Sequence, residues 1–420
     1  MNINEILSGV DCACGKFHTC TIEKVYIERG ATRRLAELLC EYNTVLIVAD
    51  ENTFRAGGER VLAALEGKNI KRVIFDGSTV LIPNEDAIER VNASLSGIDM
   101  IIALGSGVIQ DLCKYVSHFS SIPYIDVATA PSMDGYASDG AAMILKGMKE
   151  TVKAGLPKAI IADVDVLCEA PLEMIKAGYG DIIGKYSALC DWRLSNIVNG
   201  EYLCEYIYGT TAEMVEKTRA LAKGLLERDG ESIAALMEAL VVVGIMMSFA
   251  GSSRPASGSE HHLSHFFEIV GIVNGEDYFP HGIDVAYSTV VTSSIREEIM
   301  ESKFPTKRFS LSREEYLAKI KSIYGSVSDG CVALQDKVGN YAKDRTEIYL
   351  SKEAEIKKLF RSVPTAWEIE RMLSLVGLNI REFHQKYGTK KINDAISYSK
   401  DLKDRYTVLW LYYDLFGEEK

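Results

Sequence analysis

Four of the seven histidines in this 420-residue chain fall within 21 positions, as His261, His262, His265 and His281. His261 and His265 are four residues apart, so a helix would bring both imidazoles to one face. His281 follows the predicted turn Asn274-Gly275. The cluster predicts either a metal or catalytic site or a set of hydrogen-bonded helix histidines. On an ideal helix His262 points about 100° away from His261, so we expect it to be a bystander.

Asp181 adds a carboxylate of the kind that completes a divalent-metal site. It lies in the segment 178–185, whose sequence predicts the start of a helix. Asp181 and Lys185 are four residues apart and would share one face of this helix. One carboxylate and two imidazoles, from Asp181, His261 and His281, make a three-ligand site. Such a site leaves a position for a substrate oxygen or water, as a catalytic metal requires.

A glycine turn in the first half of the chain predicts a phosphate site. The apolar run 100–104 reads as a buried strand, and Gly105-Ser106-Gly107 leads directly into the helical stretch 108–119. Free N–H groups at a helix start can bind a pyrophosphate, and glycine lets it approach closely. An ordinary tight turn between strand and helix explains the same residues.

Polar residues also follow two other predicted strands, where ligands of open α/β sheets bind. Asp50 comes after the strand 44–49, and the run 129–135, with Thr129, Ser132 and Asp134, comes after the strand 124–128. Asp50 could bind an adenosine ribose and favour NAD over NADP, or it could be a plain turn cap. Asp111 and Lys114 fall on the first turns of the helix after the glycine turn.

The elements that position these residues divide the chain into two parts. Short β-rich runs alternate with helical stretches up to about residue 165, which predicts a mostly parallel sheet covered on both faces. The predicted strands are 24–28, 44–49, 72–75, 100–104, 124–128 and 159–162. Long helical segments follow, at 212–227, 231–250, 258–272, 312–324, 366–376 and 393–415. We expect an α/β dinucleotide-binding domain over 1–168 and an α-helical metal- and substrate-binding domain over 169–420.

Charge and composition limit the kinds of molecule and compartment that suit this chain. A net charge of −12 and a pI near 5.3 make nucleic acid and anionic membranes poor partners. The longest apolar stretch, 234–250, is interrupted by Glu238, and the first residues lack a signal-peptide pattern, so we expect no membrane span and a cytoplasmic protein. Nine scattered cysteines are typical of reduced thiols rather than a disulfide framework. Cys12, Cys14, His18 and Cys20 cluster, either as a second metal site or as small buried thiols.

Five motifs together resemble a known family. They are the Gly-Ser-Gly turn with Asp111 and Lys114, TAPSMDGYAS from Thr129, GYGDIIGKYSALCDW from Gly178, SSRPASGSEHHLSH from Ser252, and the His-Gly pair at 281. In this order they resemble the sn-glycerol-1-phosphate dehydrogenases, within the iron-containing alcohol dehydrogenase and dehydroquinate synthase superfamily. The resemblance implies a Rossmann-like domain followed by an all-α domain. Ile283 departs from the superfamily, where a glutamate is common after the His-Gly pair.

The resemblance also implies roles for individual residues. Asp181, His261 and His281 match metal ligands, with Zn²⁺ or Ni²⁺ expected and Fe²⁺ as a further option. Asp134 and His265 match positions that touch substrate. The positions that match contacts to NAD(H) or NADP(H) are Gly105, Ser106, Gly107, Val108, Ile109, Thr129, Ser132 and Ser138. Arg254, just before a helix start, could bind the substrate phosphate or tie two helices together through carbonyls.

The resemblance implies hydride transfer from NAD(P)H to dihydroxyacetone phosphate, giving sn-glycerol 1-phosphate. Within the family, the chain resembles the bacterial members. Two other enzymes remain open: a glycerol or other polyol dehydrogenase, and a sugar phosphate cyclase of the dehydroquinate synthase type, which uses NAD⁺ transiently. A nucleotide-binding sensor would have lost metal ligands that this chain keeps. We expect a small-molecule substrate and a homodimer or larger homo-oligomer.

Overall fold

The computed structural model describes residues 3–146 and 148–417. They form two compact units: the first comprises residues up to Ile182 together with Glu216–Ser253, and the second comprises Ile183–Val215 and the residues from Arg254 on. Two helices, Leu172–Asn199 and Glu205–Arg219, contribute residues to both units. The contacts group residues 216–253 differently from the expected domains 1–168 and 169–420, which stay a prediction.

The strands of the described residues all lie in the first unit. They are β1 (Val10–Asp11), β2 (Phe17–His18), β3 (Lys24–Glu28), β4 (Thr44–Asp50), β5 (Asn69–Phe75), β6 (Met100–Gly105), β7 (Tyr124–Ala128), β8 (Gly140–Leu145), β9 (Met148–Lys153) and β10 (Ala159–Asp163). The helices up to the end of this unit are α1 (Ile3–Leu7), α2 (Leu35–Leu38), α3 (Glu51–Ala64), α4 (Glu85–Asn92), α5 (Gly107–Ser120), α6 (Val164–Leu167), α7 (Leu172–Asn199), α8 (Glu205–Arg219), α9 (Ala222–Leu226) and α10 (Gly230–Ala250).

Six of these strands form one parallel sheet in the order β3-β10-β7-β6-β4-β5. Three of its four inner strands, β6, β7 and β10, are buried at every residue, because helices cover both faces. All six predicted strands are present. β6 pairs with both β4 and β7, so the segments that follow these three strands emerge at one edge of the sheet. The predicted Rossmann-like sheet is confirmed.

The helix α10 is long and apolar enough, by length and composition, to cross a membrane. However, 72% of its most apolar window is buried inside the structure, as is typical of a core helix. Its start is capped by Asp229, whose side chain accepts a hydrogen bond from the backbone N–H of Ser232. We therefore describe α10 as a core element of the first unit.

Among its described residues the second unit contains helices and loops but no strand, which confirms the predicted all-α part. Its further helices are α11 (Ser259–Asn274), α12 (His281–Glu301), α13 (Arg313–Tyr324), α14 (Ser328–Val338), α15 (Thr346–Arg361), α16 (Ala366–Ser374), α17 (Ile380–Tyr398) and α18 (Val408–Phe416).

Two predicted helices are interrupted. The segment 393–415 is not one helix: α17 ends at Tyr398, and α18 begins at Val408, whose backbone N–H donates to Asp191 Oδ1 at 2.7 Å. A buried carboxylate from another helix thus fixes the new helix start. The segment 212–227 likewise divides, because α8 ends at Arg219 and α9 begins at Ala222. The first break is fixed by a contact from a distant part of the chain, and the second is a short turn between two helices. Helical periodicity reveals neither.

Asp126 is a charged residue in the middle of the central strand β7. It is fully buried, and neither carboxylate oxygen has a hydrogen-bond partner among the described residues. Loss of hydration raises its pKa well above the usual value, although Lys114 opposes the shift. The folded state therefore binds a proton at Asp126 more tightly than the unfolded chain does.

This burial predicts a pH-dependent stability. The contribution of Asp126 is fully present below its unfolded pKa of about 3.9 and is lost as the pH rises through the higher folded pKa. Asp126→Asn should therefore become progressively more stable relative to the natural protein between pH 5 and pH 8. Urea unfolding of both proteins across this range measures the difference. A constant difference at all pH values would contradict the assignment.

Candidate metal centre and nucleotide pocket

Three of the clustered histidines meet in the second unit. His261 and His265 lie one helical turn apart on α11, and His281 is the first residue of α12. The ring centroid of His281 is 5.0 Å from that of His261 and 5.6 Å from that of His265. The helix spacing and the turn before α12 therefore bring together imidazoles that are twenty residues apart in the sequence.

Asp181 completes a group that could hold a metal ion. It lies on α7, and one ligand atom each from Asp181, His261 and His281 lies within 4.8 Å of the others. A bound divalent ion would need such nitrogen and oxygen atoms about 2 Å away. Asp181 Oδ2 also accepts a hydrogen bond from the backbone N–H of Asp134 at 3.0 Å, which orients the carboxylate.

Gly184 explains how α7 reaches the other two helices. It lies three residues after Asp181 and therefore on the same face of α7. A Cβ at this position would lie 2.5 Å from Cγ1 of Val285 on α12 and 3.5 Å from the Glu260 side chain on α11. The glycine lets the helices approach closely, so the motif GDIIG has a packing reason beside its ligand.

Glu260 fixes the orientation of the His261 ring. His261 Nδ1 lies 2.7 Å from Glu260 Oε1, and the same oxygen accepts from the backbone N–H of Gly258 at 2.8 Å. Because Oε1 accepts from Gly258, we assign the ring proton to Nδ1, which leaves the Nε2 lone pair for a metal. Burial raises the pKa of Glu260 to about 7. Sequence reasoning missed this residue, although its position directly before His261 was visible.

The remaining two histidines of the cluster differ in exposure. His265 is half-buried, with its ring centroid 6.0 Å from that of His261, so it borders the metal group without belonging to the ligand set. His262 is fully buried, and burial lowers its pKa well below the usual value. Neither of its ring nitrogens has a hydrogen-bond partner within the part of the chain that the structure describes. His262 therefore packs as a neutral ring away from the ligands.

The segment after β7 lies against two helices of the first unit. Gly178 on α7 lies so close to Pro131 that a Cβ would clash with its carbonyl oxygen, and Gly244 on α10 similarly faces the carbonyl oxygen of Asp134. The side chains of Thr129, Ser132, Asp134 and Ser138 are at most 8% exposed. Ser138 Oγ donates to the Gly135 carbonyl at 3.2 Å. This buried loop holds Asp134 beside Asp181.

A cavity of about 310 Å³ lies at the edge of the sheet in the first unit. Ser106, Val108 and Ile109 line it at the start of α5, and Asp50 lines it at the end of β4. Ser106 is the N-cap of α5 and its side chain makes no capping bond, so the helix end remains suited to an anion. Asp50 is also the N-cap of α3, because its carboxylate accepts hydrogen bonds from the backbone N–H groups of Asn52 and Thr53.

Sequence reasoning missed part of this cavity. Asn52 and the loop 77–81 also line it. A signal was present, because Asp76-Gly77-Ser78 follows the end of β5 just as the other polar loops follow their strands. Lys114, in contrast, does not line it: its ammonium donates to Asp111 and to the carbonyls of Gly135 and Gly140, which ties α5 to the loop after β7.

Arg254 is engaged by protein groups. Its side chain forms a two-bond ion pair with Glu201, with Nε 2.7 Å from Oε1, and Nη1 donates to the Tyr406 carbonyl at 2.8 Å. The geometry favours the predicted alternative, a tie between segments, over phosphate binding. A phosphate contact would require Glu201 to release the guanidinium.

Replacing Arg254 separates the two roles. Arg254→Met should lower the free energy of unfolding by about 2 kcal/mol, because it removes the charged hydrogen bonds of a buried guanidinium while Glu201 keeps some access to water. The KM for a phosphorylated substrate should stay within about twofold, a difference well under 1 kcal/mol. Thermal unfolding and steady-state kinetics measure the two effects. A large rise in KM with unchanged stability would restore the phosphate role.

The N-terminal cysteines form a second group of metal-ligand type. It contains Cys12, Cys14, His18 and Cys204, whose ligand atoms lie within 4.8 Å of one another. Cys20, which the sequence pattern had grouped with the first three, is outside this set. The correction has a simple cause, since Cys204 is distant in sequence and only folding brings it near.

Comparison with known proteins identifies the family of this chain. The model of the iron-containing alcohol dehydrogenase family matches residues 26–171. A glycerol-1-phosphate dehydrogenase (NAD(P)+) of Bacillus licheniformis is 32% identical over 342 residues, covering 78% of this chain and 83% of the relative. One of Halalkalibacterium halodurans is 30% identical over 408 residues, covering 95% of this chain and 94% of the relative.

The chain belongs to the glycerol-1-phosphate dehydrogenase family. The resemblance predicted from the motifs is thereby confirmed. An iron-containing alcohol dehydrogenase of Thermococcus thioreducens has a similar structure, with a TM-score of 0.59, 14% identity and coverage of 91% of each chain. At that identity the likeness shows the fold, which confirms the predicted fold class.

Proposed function

We propose that the protein catalyses the reversible, metal-dependent reduction of dihydroxyacetone phosphate to sn-glycerol 1-phosphate with NAD(P)H. The observation that carries the proposal is the group Asp181, His261 and His281, with ligand atoms within 4.8 Å of one another. Three such ligands suit a catalytic ion with a coordination position left for substrate. The names of the relatives supply glycerol 1-phosphate and NAD(P)⁺, and oxidation of the secondary hydroxyl of glycerol 1-phosphate gives dihydroxyacetone phosphate.

The nucleotide belongs in the cavity beside the glycine turn. Gly105, Ser106, Gly107, Val108 and Ile109 would contact the pyrophosphate through backbone N–H groups at the start of α5. Asp50 lines the same cavity, and its negative charge would repel the 2′-phosphate of NADP(H). We therefore expect NADH to be preferred over NADPH. Thr129, Ser132 and Ser138 would border the nicotinamide side of the binding site.

When bound, the nicotinamide supplies the hydride, and a divalent ion, Zn²⁺ or Ni²⁺ with Fe²⁺ as a further option, polarises the substrate carbonyl. Asp181, His261 and His281 would hold this ion. Asp134, held by its backbone bond to Asp181, would orient the substrate hydroxyl. His265, half-buried beside the ligand rings, would pass a proton to the product oxygen.

Further aspects of the proposal rest on composition and family. The acidic chain is expected to act in the cytoplasm on a small-molecule substrate and to assemble as a homodimer or larger homo-oligomer. Its product would then serve phospholipid synthesis. Size-exclusion chromatography with light scattering measures the assembly.

A substrate panel tests the reaction. The protein is loaded with Zn²⁺ or Ni²⁺ and assayed with dihydroxyacetone phosphate, dihydroxyacetone, glycerol 1-phosphate, glycerol 3-phosphate and glycerol, each with both nicotinamide cofactors. We expect NADH consumption with dihydroxyacetone phosphate and NAD⁺ reduction with glycerol 1-phosphate. Saturation by glycerol alone would select a polyol dehydrogenase. Product formation without net NADH change over many turnovers would select a cyclase.

A further inference from the structure

The N-terminal hairpin is too small to hold its own conformation. Its strands β1 and β2 have two residues each and pair antiparallel, with Val10 opposite His18. Isolated two-stranded hairpins are marginal even when longer, because they bury little apolar surface. Gly15 closes the turn with a φ of 83°, and its N–H donates to the Cys12 carbonyl at 2.9 Å. A further constraint is needed for this hairpin to be well ordered.

The hairpin presents three metal-ligand side chains on one side. Cys14 Sγ lies 3.3 Å from His18 Nε2, and a Cys12 ligand atom lies within 4.8 Å of both. Tetrahedral zinc with sulfur at about 2.3 Å and nitrogen at about 2.0 Å places its ligand atoms about 3.6 to 3.8 Å apart. The His18 ring is 2% exposed and stacks on Phe249 with centroids 5.5 Å apart, so its position is fixed by packing.

Cys204 supplies a fourth ligand atom within the same 4.8 Å limit. It is fully buried and directly precedes α8, where its carbonyl accepts from the N–H of Tyr208 at 2.9 Å. Three thiols and one imidazole make the Cys₃His set that is typical of closed, structural zinc sites. A closed set contrasts with Asp181, His261 and His281, which contain no thiol and leave a position open.

We propose that Cys12, Cys14, His18 and Cys204 bind one structural Zn²⁺. The thiols bind as thiolates, so binding releases up to three protons, while His18 binds as a neutral ring through Nε2. The ion is zinc rather than nickel or iron because thiolate-rich tetrahedral sites select it. Its role is to order the hairpin, since metal binding contributes directly to folding free energy. It takes no part in hydride transfer.

Metal counting on the full chain tests the proposal. The protein is reduced, loaded with Zn²⁺, freed of excess metal and measured by mass spectrometry of its metal content. We expect two ions per chain in the natural protein. Cys14→Ser should keep only the ion at Asp181, and Asp181→Ala should keep only the ion at the cysteines. Cys20→Ser is the matched control, because Cys20 lies nearby but outside the ligand set, and it should retain both ions. A zinc content that Cys14→Ser leaves equal to that of the natural protein would overturn the site.

A second measurement keeps the test valid if Cys14→Ser fails to fold. A thiol-blocking mercurial added to the natural protein should release one equivalent of zinc, because only this site contains cysteine ligands. Co²⁺ in place of Zn²⁺ should give the sulfur-to-metal charge-transfer absorption of a thiolate complex. Absence of both signals in the reduced protein would refute the proposal, whereas the substrate panel would still report independently on the proposed function.

Discussion

Asp181→Ala should lose the catalytic metal and nearly all turnover while the protein remains folded. Asp181 is the only carboxylate of the ligand group, and the two imidazoles left behind carry no negative charge to attract a cation. Because metal polarisation of a carbonyl contributes several kcal/mol, we expect a loss of about 10³-fold or more in kcat/KM. Metal content after dialysis and steady-state kinetics measure the two effects together.

The fold should tolerate this change. Asp181 is fully buried and accepts a hydrogen bond from the backbone N–H of Asp134. Alanine removes this acceptor. An unsatisfied buried donor costs about 1 to 3 kcal/mol, within the stability of a typical protein. Asp329→Ala, at an exposed position on α14, is the matched control and should keep both metal and activity. Full activity of Asp181→Ala after chelation would show that the proposed chemistry is wrong.

The sheet and the metal group could be predicted because each leaves a local signal. β3 and β7 have the predicted bounds, and the unbroken apolar run of β6 is the pattern of a strand buried on both faces. His261 and His265 face the same way because helical spacing requires it. Asp181 was recognisable only through the motif around it, as nothing in its spacing from His261 shows that the two meet.

What could not be predicted depends on contacts between distant residues. Cys20 is closer in sequence to the hairpin than Cys204 is, yet Cys204 belongs to the ligand group. The start of α18 is set by Asp191, more than two hundred residues earlier. The loop 77–81 borders the nucleotide cavity because β5 lies next to β4 in the sheet, and strand order is not encoded by any single segment.

Glu260 should be a positioning residue whose loss weakens metal binding. Its Oε1 accepts from His261 Nδ1, and groups that orient a ligating histidine typically contribute about 10- to 100-fold in metal affinity. Glu260→Met removes the acceptor while keeping an unbranched side chain of similar size. We expect the metal Kd to rise by about 10- to 100-fold, measured by competition with a chromophoric chelator.

Glu260→Gln separates orientation from charge. The amide oxygen can still accept from Nδ1–H, so the ring keeps its orientation and only the electrostatic support is lost. Its Kd should therefore lie between those of the natural protein and Glu260→Met. Glu314→Gln, on the exposed face of α13, should leave the Kd unchanged. If Glu260→Met binds metal as tightly as the natural protein, the carboxylate serves its hydrogen bond from Gly258 and not the metal. If the kcat of Glu260→Met stays low even at saturating metal, Glu260 contributes to the reaction itself and not only to metal binding.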